Sequence, residues 1–466
     1  MPLGPFHLKS AVSVANLPPI RLDADYNQSI SLKEALFYCI QNSLAIKISK
    51  ESWNNQKYTL LGTIANALPI PELGGNYAIT WSNILQSGSS TATVFAPTVL
   101  LPFFSGGAQV YSFWSQYYRD KGWRQAFNAS VNDALFDVYQ DYENLLLQYT
   151  LLRIKEKSFE VSKAQLDLNN LLYTAGTGTQ FAIMQSRTQL SSDRQALQQQ
   201  LVNVRQSSLS LAFALNLPVS INLLPQEEAI TEQSMFDQSI PFDTFMNMAI
   251  VHRPELRQYE LFHLAAERNI QVAASPYYPT ANHFDFYTFS GTNVIQNGPN
   301  ANALDGAGIF PGVFDTYQTG YTITASLPAL GLPTAANIAA ARALARQAKL
   351  QANQELIQVG QQVRTSYLNA LSERAEIDST AYGVASASEG LRLAELRLRS
   401  GTGTNLELIT AQKSYVEALS AQAEAIISSN IAQAQLIHDI GLIDPDALIT
   451  GFKFTPDLLK PQRAKP

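Results

Sequence analysis

Residues 400–406 read SGTGTNL, and residues 175–181 read AGTGTQF. The first glycines of the two stretches, Gly176 and Gly401, are related by an offset of 225 (401 − 176). A repeated glycine turn whose flanking residues keep one offset indicates an internal duplication, so we predict that both halves of the chain share one structural plan. Identities at the same offset are Gly106 with Gly331, Val138 with Val363, Tyr142 with Tyr367, Asn144 with Asn369 and Leu146 with Leu371.

The composition narrows the class of protein. Charged residues make up 15% of the 466 residues, and the net charge is −6, whereas charged residues are about a quarter of a typical globular chain. Because the balance is acidic and no basic cluster is present, we expect no nucleic-acid partner. The single cysteine, Cys39, excludes an internal disulfide and a cysteine-based zinc site. No apolar run long enough for a transmembrane helix is present, and no signal peptide is visible in this numbering.

No set of residues typical of catalysis or cofactor binding is visible. The five histidines form no HxxxH or HExxH pair, so we expect no metal site. Neither GTGT stretch continues into the Gly-Lys-Ser/Thr of a phosphate loop. No Ser/His/Asp set or paired-carboxylate cleft stands out. We therefore predict a protein that is not an enzyme and that carries no cofactor.

Helical periodicity dominates the chain. Apolar residues recur at helical spacing over residues 108–174 without a proline, which predicts one helix roughly 100 Å long at about 1.5 Å per residue. A helix of that length needs a coiled-coil partner. After the glycine turn, residues 180–217 are predicted to return antiparallel, and residues 334–438 repeat this hairpin. Two short helices are predicted earlier, over residues 32–40 behind a Ser31/Glu34 capping box and over residues 49–67.

Two regions alternate with a period of two residues instead. Residues 80–108 contain no charged side chain, and residues 317–327 place apolar and aromatic side chains on one face and small polar ones on the other. This pattern is typical of a membrane barrel strand. We predict strands over residues 76–86, 91–103, 281–290 and 317–328, with Tyr321 and Ile323 facing lipid.

The duplication predicts the domain boundaries. Residues 252–256 (HRPEL) occupy the place of residues 42–46 at an offset of 210, so the second half has about 15 extra residues (225 − 210), which we place in a loop over 291–312. The predicted segments are an extended arm over residues 1–29, a first repeat over 30–218, a linker over 219–242, a second repeat over 243–443 and a tail over 444–466.

At this point the residues indicate a family. The duplicated plan, the glycine-containing entries to the long helices at 101–107 and 327–331, the RPEL motif at 253–256 and the paired Gly-Thr turns resemble TolC-type outer-membrane efflux proteins. The resemblance covers about residues 30–443. It implies a mostly α fold with β-hairpins: duplicated long-helix coiled-coil hairpins, and four strands per chain in a trimeric twelve-stranded transmembrane β-barrel.

The resemblance also implies location and partners. The protein is expected to be a homotrimer in the lipid of the bacterial outer membrane that extends into the periplasm. Its expected function is the passive exit duct of a tripartite efflux or secretion system. A periplasmic adaptor protein and an inner-membrane pump, ABC-type or proton-driven, would open it at its periplasmic tip.

The functional residues implied by the resemblance lie at the two turns. The narrow constriction of the pore maps onto Glu407 and Thr410, so only one of two acidic positions remains acidic. The arginine and tyrosine that close the tip in well-known members map onto Gly403 and Leu398, so the tip must be held shut differently. Glu407 could instead only cap its helix and face outward. The turn residues expected to contact the adaptor are Gly176, Thr177, Gly178, Thr179, Gly401, Thr402, Gly403 and Thr404.

Alternative functions remain open on the sequence. One is the outer-membrane component of a type I protein or polysaccharide secretion system. Another is a non-transporting coiled-coil scaffold, which the uncharged alternating strands argue against because exposed apolar strands aggregate in water.

Overall fold

The computed structural model describes residues 27–67, 72–74, 78–84, 87–95, 98–227, 229–236, 240–296, 313–326 and 328–450. The predicted N-terminal arm lies almost entirely outside these residues, as do most of the predicted loop at 291–312 and the tail beyond residue 450. The chain forms two compact units. The first comprises Met1–Ser49, Asn128–Arg253 and Gln358–Pro466, and the second comprises Lys50–Phe127 and Pro254–Ile357. Each unit therefore draws on both sequence repeats.

Helices account for most of the described chain. None of those described is long and apolar enough to span a bilayer. The helices are α1 (Leu32–Asn42), α2 (Leu44–Ala67), α3 (Ala108–Thr174), α4 (Gln180–Ala214), α5 (Phe242–His252), α6 (Pro254–Ala274), α7 (Leu332–Arg399), α8 (Asn405–Asp439) and α9 (Pro445–Thr450).

The helix boundaries reproduce both offsets in the sequence. Helices α4 and α8 contain 35 residues each, and their first residues are related by the offset of 225 (405 − 180). Helices α1 and α5 contain 11 residues each, and their first residues are related by the offset of 210 (242 − 32). The predicted 67-residue helix is observed as α3. The predicted duplication and the long helical hairpins are therefore present in the structure.

Several boundaries differ from the prediction. Helix α2 begins at Leu44 rather than Ser49, because only Ser43, with an extended ψ of 129°, separates it from α1. Helix α4 ends at Ala214 rather than at residue 217, because Asn216 turns left-handed with φ of 54° before the following proline. Part of the predicted tail is helical, since α9 forms there and buries Leu448 completely.

The first unit contains a helix capping box and a pair of parallel strands. The capping box is confirmed: the Ser31 N–H donates to the Glu34 carboxylate at 3.0 Å, and the Glu34 N–H donates to Ser31 Oγ at 3.3 Å. Strand β1 (Asn27–Ile30) pairs in parallel with β6 (Asn222–Pro225). The core of this unit is built by α3, whose Tyr139 and Tyr142 are fully buried.

The second unit contains an antiparallel sheet. Its strands are β2 (Glu72–Gly74), β3 (Ala78–Ile84), β4 (Ser87–Phe95), β5 (Thr98–Ser105), β7 (Thr280–Gln296) and β8 (Val313–Thr324). Strands β4 and β5 pair with successive parts of β7, and β3 and β2 pair with β4 and β5 in turn. Strand β8 pairs with β7 over its whole length. The sheet is therefore four strands wide, with two of its strands interrupted.

The strands differ from the prediction in position. Strand β7 runs to residue 296 rather than 290, and β8 occupies residues 313–324 rather than 317–328. The end of β8 is followed by a tight turn in which Ala329 and Leu330 have left-handed φ of 47° and 56°. The period-two pattern in the sequence thus continues past the last residue that the backbone keeps in the sheet.

The face of β8 that was predicted to meet lipid is exposed in the single chain but is not purely apolar. Tyr321 and Ile323 are 76% and 75% exposed. His283 is the neighbour of Tyr321 on β7, with the two rings 4.9 Å apart, and it lies 3.3 Å from the Asp285 carboxylate on the same face. The polar groups come from the neighbouring strand, which the alternation within β8 does not reveal. Contact of Tyr321 and Ile323 with lipid stays a prediction.

Candidate functional site at the two helix turns

The first turn joins α3 to α4. Gly176 has φ of 79°, the left-handed conformation with which many helices end. The N–H groups of Thr177 and Gly178 donate to the carbonyl oxygen of Leu172 at 3.0 and 2.9 Å. Thr179 then begins α4 as its N-cap, accepting a hydrogen bond from the Ala182 N–H at 3.2 Å. The turn therefore satisfies the polar groups at both helix ends with its own residues.

The second turn joins α7 to α8 with the same geometry. Gly401 has φ of 75°. The N–H groups of Thr402 and Gly403 donate to the carbonyl oxygen of Arg397 at 3.0 and 2.8 Å. Thr404 is the N-cap of α8 and accepts from the Glu407 N–H at 3.2 Å. The two Gly-Thr turns are thus one structural motif used twice.

The second glycine of each turn is required by space rather than by φ. A Cβ atom at Gly178 would lie 2.7 Å from the backbone nitrogen of Tyr173, and one at Gly403 would lie 2.9 Å from the backbone nitrogen of Leu398. Backbone atoms cannot move aside as the end of a side chain can. A larger residue at either position would therefore open the turn itself.

The two predicted constriction residues lie at the start of α8. Besides its backbone bond to the N-cap, Glu407 has its carboxylate 3.8 Å from the guanidinium of Arg397, and both side chains are about half exposed. Thr410 is exposed, and its hydroxyl donates to the Leu406 carbonyl oxygen at 2.8 Å. The ion pair with Arg397 was not predicted, and it reduces the net negative charge beside Glu407. Their place in a pore stays a prediction.

Asn405, which no sequence pattern singled out, joins the two hairpins. Its side-chain oxygen accepts hydrogen bonds from Gln165 Nε2 at 3.0 Å and Asn169 Nδ2 at 3.1 Å, both on α3. Its side-chain nitrogen lies 3.3 Å from Gln185 Oε1 and 3.4 Å from Ser186 Oγ on α4. Asn405 is 9% exposed. A buried amide with partners on both sides fixes the start of α8 against the first hairpin.

The surroundings of the two turns differ although the turns do not. The first turn is flanked by exposed apolar side chains: Leu171 is 65% exposed and Phe181 is 71% exposed. No charged residue occurs from residue 168 to residue 186. The second turn is flanked by the Arg397–Glu407 pair and by Arg399, which lies 3.9 Å from the Glu395 carboxylate. The first turn is thus an apolar surface and the second a mixed-charge surface.

The RPEL motif contributes to the far end of α8. Arg253 is 6% exposed, and its Nη1 donates to the backbone oxygen of Asp439 at 3.0 Å. His438 lies between the carboxylates of Asp133, at 2.8 Å, and Asp439, at 3.1 Å. Burial opposes the imidazolium charge, but the hydrogen bonds to Asp133 and Asp439 outweigh it and raise the pKa of His438 to about 9. Two cations therefore stabilise the C-terminal end of α8, where the helix dipole is negative.

The single cysteine, Cys39, lies in the core of the first unit rather than at a reactive site. Cys39 is fully buried in α1, and its Sγ donates to the Ala134 carbonyl oxygen at 3.3 Å. Burial, together with the charge of Asp137, raises the pKa of the Cys39 thiol to about 12, so the reactive thiolate is scarce. No cluster of His, Cys, Asp and Glu suited to a metal ion occurs in the part of the chain that the structure describes.

Comparisons with known proteins agree with this architecture. Residues 245–442 match the family model described as outer membrane efflux protein. No curated protein sequence matches the chain. Among solved structures, the chain is similar to the CmeC outer membrane channel of Campylobacter jejuni, with a TM-score of 0.72, 14% identity, and coverage of 88% of this chain and 85% of that one.

Two further solved structures share the fold. The outer membrane protein VceC from Vibrio cholerae matches with a TM-score of 0.69 and 16% identity, over 91% of this chain and 97% of that one. The MtrE outer membrane channel of Neisseria gonorrhoeae, in its open state, matches with a TM-score of 0.68 and 16% identity, over 88% of this chain and 89% of that one. Proteins of this family are channels rather than enzymes. Residues 245–442 thus match the outer membrane efflux protein family, and the chain as a whole shares the fold of these solved outer membrane channels.

Proposed function

We propose that three copies of the chain form the passive exit duct of a tripartite efflux system. A periplasmic adaptor and an inner-membrane pump, ABC-type or proton-driven, open the duct at its two helix turns. The observation that carries this proposal is the duplicated hairpin, in which two long antiparallel helix pairs end in the same Gly-Thr turn at one offset.

The sheet supports a trimer. It is four strands wide, and within the described residues β8 pairs only with β7, which leaves its other edge open. Backbone groups at an open edge cannot stay unpaired in lipid, so a membrane sheet must close. Four strands cannot close a barrel, because the smallest known barrels have eight. Three copies supply twelve strands and close it.

Exposed apolar side chains on the long helices support the same assembly. On α7, Leu344, Leu350 and Ile357 are 61%, 67% and 73% exposed. In the first unit, Phe213 on α4 and Tyr382 on α7 are each 79% exposed. Apolar surface on this scale is typical of an interaction site rather than of a surface that meets water. We propose that neighbouring copies cover it along the wall of the duct.

The two turns support contact with an adaptor. Each turn is exposed and made of small residues, so the helical tip of a partner can approach its backbone closely. The first turn offers the apolar surface around Leu171 and Phe181, and the second offers the charged surface around Arg397. We propose that an adaptor contacts both turns and gains most of its affinity at the apolar first turn.

The function is tested by deleting the gene in its native host. An efflux duct predicts increased susceptibility to several small toxic compounds and unchanged amounts of secreted protein and polysaccharide. Loss of one secreted polymer with unchanged susceptibility would instead favour a type I or polysaccharide secretion system. If the deletion changes neither susceptibility nor secretion, although the parent strain produces the trimer, the duct proposal is wrong.

A further inference from the structure

The internal duplication predicts a second site in the molecule that is equivalent to the surroundings of Asn405. At an offset of 225, Asn405 corresponds to Gln180, the first residue of α4 (405 − 225). Both residues directly follow an N-cap threonine, so their backbones start the returning helix in the same way. The residues around Asn405, which are Gln165, Asn169, Ala182, Gln185 and Ser186, correspond to Gly390, Ala394, Glu407, Thr410 and Ala411.

This second pocket is not covered within one chain. Gln180 is exposed, and none of the described residues forms a hydrogen bond with its side chain. Gly390 is exposed too, and a Cβ atom built on it would meet no atom within 4 Å. Glu407 and Thr410, which line the same side, are exposed as well. The surface equivalent to a buried joint is therefore open.

The sizes of the residues are complementary. The amide at the entering position is longer, since Gln180 replaces Asn405. The receiving residues are smaller, since Gly390 and Ala394 replace Gln165 and Asn169. Acceptors for the glutamine amide remain on α8, namely the Glu407 carboxylate and the Thr410 hydroxyl. A longer entering side chain thus faces a wider pocket that still contains hydrogen-bond acceptors.

We infer that Gln180 of each copy inserts between α7 and α8 of the next copy, as Asn405 inserts between α3 and α4 of its own chain. The inference rests on the proposed homotrimer. Three copies contribute six hairpins in alternating order, so every hairpin has two neighbours, one within the chain and one in the next copy. Repeating one head-to-tail contact around such a ring closes it. The partner of this surface is therefore a second copy of the same chain.

The arrangement assigns a specific contact to Glu407. Its place corresponds to Ala182, whose backbone oxygen lies 3.4 Å from Asn405 Nδ2. Glu407 then lies beside the joint between copies, where it can accept a hydrogen bond from Gln180. Because Gly390 and Ala394 have no polar side chains, the joint between copies has fewer hydrogen bonds than the joint within the chain. The two joints at the tips are equivalent in position and unequal in strength.

Cysteine crosslinking tests this contact on the full-length protein. In the pair Gln180→Cys/Ala411→Cys, Ala411 corresponds to Ser186, whose Oγ marks where a cysteine Sγ would lie. A second pair, Gln180→Cys/Thr410→Cys, covers a failure of the first to fold. The matched control is Asn405→Cys/Ser186→Cys, which should crosslink within one chain. The negative control is Gln180→Cys/Glu417→Cys, since Glu417 lies about 10 Å further along α8 at about 1.5 Å per residue. The native Cys39 is buried and should not interfere.

After mild oxidation, both Gln180 pairs should give covalent dimers and trimers on a denaturing gel. These species should disappear when a reducing agent is added. The matched control and the Glu417 pair should migrate as single chains. Light scattering of the unmodified protein in detergent separates the two possible failures. If no trimers form there, the proposed homotrimer fails. If trimers form but neither Gln180 pair yields a covalent ladder, the inferred joint is wrong.

Discussion

Asn405 and Asn169 are 236 residues apart in sequence, and their buried side-chain amides are joined by a hydrogen bond of 3.1 Å. This bond connects the second hairpin to the first close to both turns. Asn405→Ala would leave the buried Gln165 amide without its acceptor, whereas Asn169 would keep its hydrogen bond to Ser186 Oγ. An unsatisfied buried group costs about 1–3 kcal/mol.

We therefore expect Asn405→Ala to loosen the turns locally. Hydrogen exchange followed by mass spectrometry should show faster exchange in peptides from residues 165–186 and 405–412. Peptides from β7 serve as the internal control and should be unchanged. Exchange rates at the turns equal to those of the unmodified protein would show that Asn405 does not hold the hairpins together.

Glu143 predicts a pH dependence of stability. Its carboxyl is 2% exposed on α3, and burial raises its pKa from 4.5 to about 7, while hydrogen bonds with Asn430 and Tyr139 partly oppose this rise. Between pH 4.5 and about 7, the Glu143 carboxyl is therefore protonated in the folded state but ionised in the unfolded state. Stability from this group is greatest below pH 4.5 and is lost as the pH rises to about 7. The loss is on the order of 3 kcal/mol.

Glu143→Gln cannot ionise and keeps an acceptor for Asn430. The unfolding midpoint of the detergent-solubilised variant should fall less between pH 4.5 and 7 than that of the unmodified protein. Circular dichroism at the helical bands measures the unfolding midpoint of each protein at each pH. Parallel pH curves for the two proteins would mean that Glu143 is already ionised in the folded state at low pH.

Contact with the adaptor is best tested at the threonines of the turns. Substitution of Gly178 or Gly403 by tryptophan would disturb the turn backbone, because even a Cβ there lies under 3.0 Å from backbone nitrogen. Thr177 and Thr402 are exposed, and their hydroxyls donate to the carbonyl oxygens of Leu172 and Arg397 at 3.2 and 3.3 Å. Replacing either threonine removes that one hydrogen bond, but the same carbonyl oxygen keeps its two backbone N–H donors in the turn. Thr177→Trp should reduce export in the native host by at least tenfold, and Thr402→Trp by less, because the first turn is the apolar surface. As a control, light scattering should show that both variants still form trimers. Normal export with both variants would contradict contact at the turns.

Glu407 and Arg397 should have opposite effects on the ion selectivity of the pore. If three Glu407 carboxylates lie at the narrow end, they favour cations, as acidic rings do in cation channels. Arg397, 3.8 Å away, weakens that preference. Under a salt gradient, Glu407→Gln should shift the reversal potential toward weaker cation preference, and Arg397→Gln should shift it toward stronger preference. A reversal potential that neither variant changes would place Glu407 outside the conducting path.

Local rules predicted much of this fold. The Ser31/Glu34 capping box and the two glycine turns act within three to five residues, so they were predicted from sequence, whereas the threonine N-caps, which are equally local, were not. The alternation that predicted β8 is also local, but it did not locate the strand end, which depends on the turn at Ala329 and Leu330.

Long-range contacts were not predictable in this way. Asn405 looks like any residue that opens a helix, and its role depends on partners in the first hairpin, such as Gln165 and Ser186, which are far away in sequence. The Arg397–Glu407 pair spans a turn that was recognised, but nothing in the sequence fixes which way either side chain points. Only the duplication, which relates distant positions directly, gave access to such contacts.

The trimeric duct is tested by the single-channel conductance of the purified protein in a planar lipid bilayer, together with the mass of the same protein in detergent. For a trimeric duct we expect a particle whose protein mass is three times the 51.2 kDa of one chain, and stable conductance steps from single insertions. A protein that stays monomeric, or trimers that insert without conducting under any applied voltage, would contradict a trimeric duct.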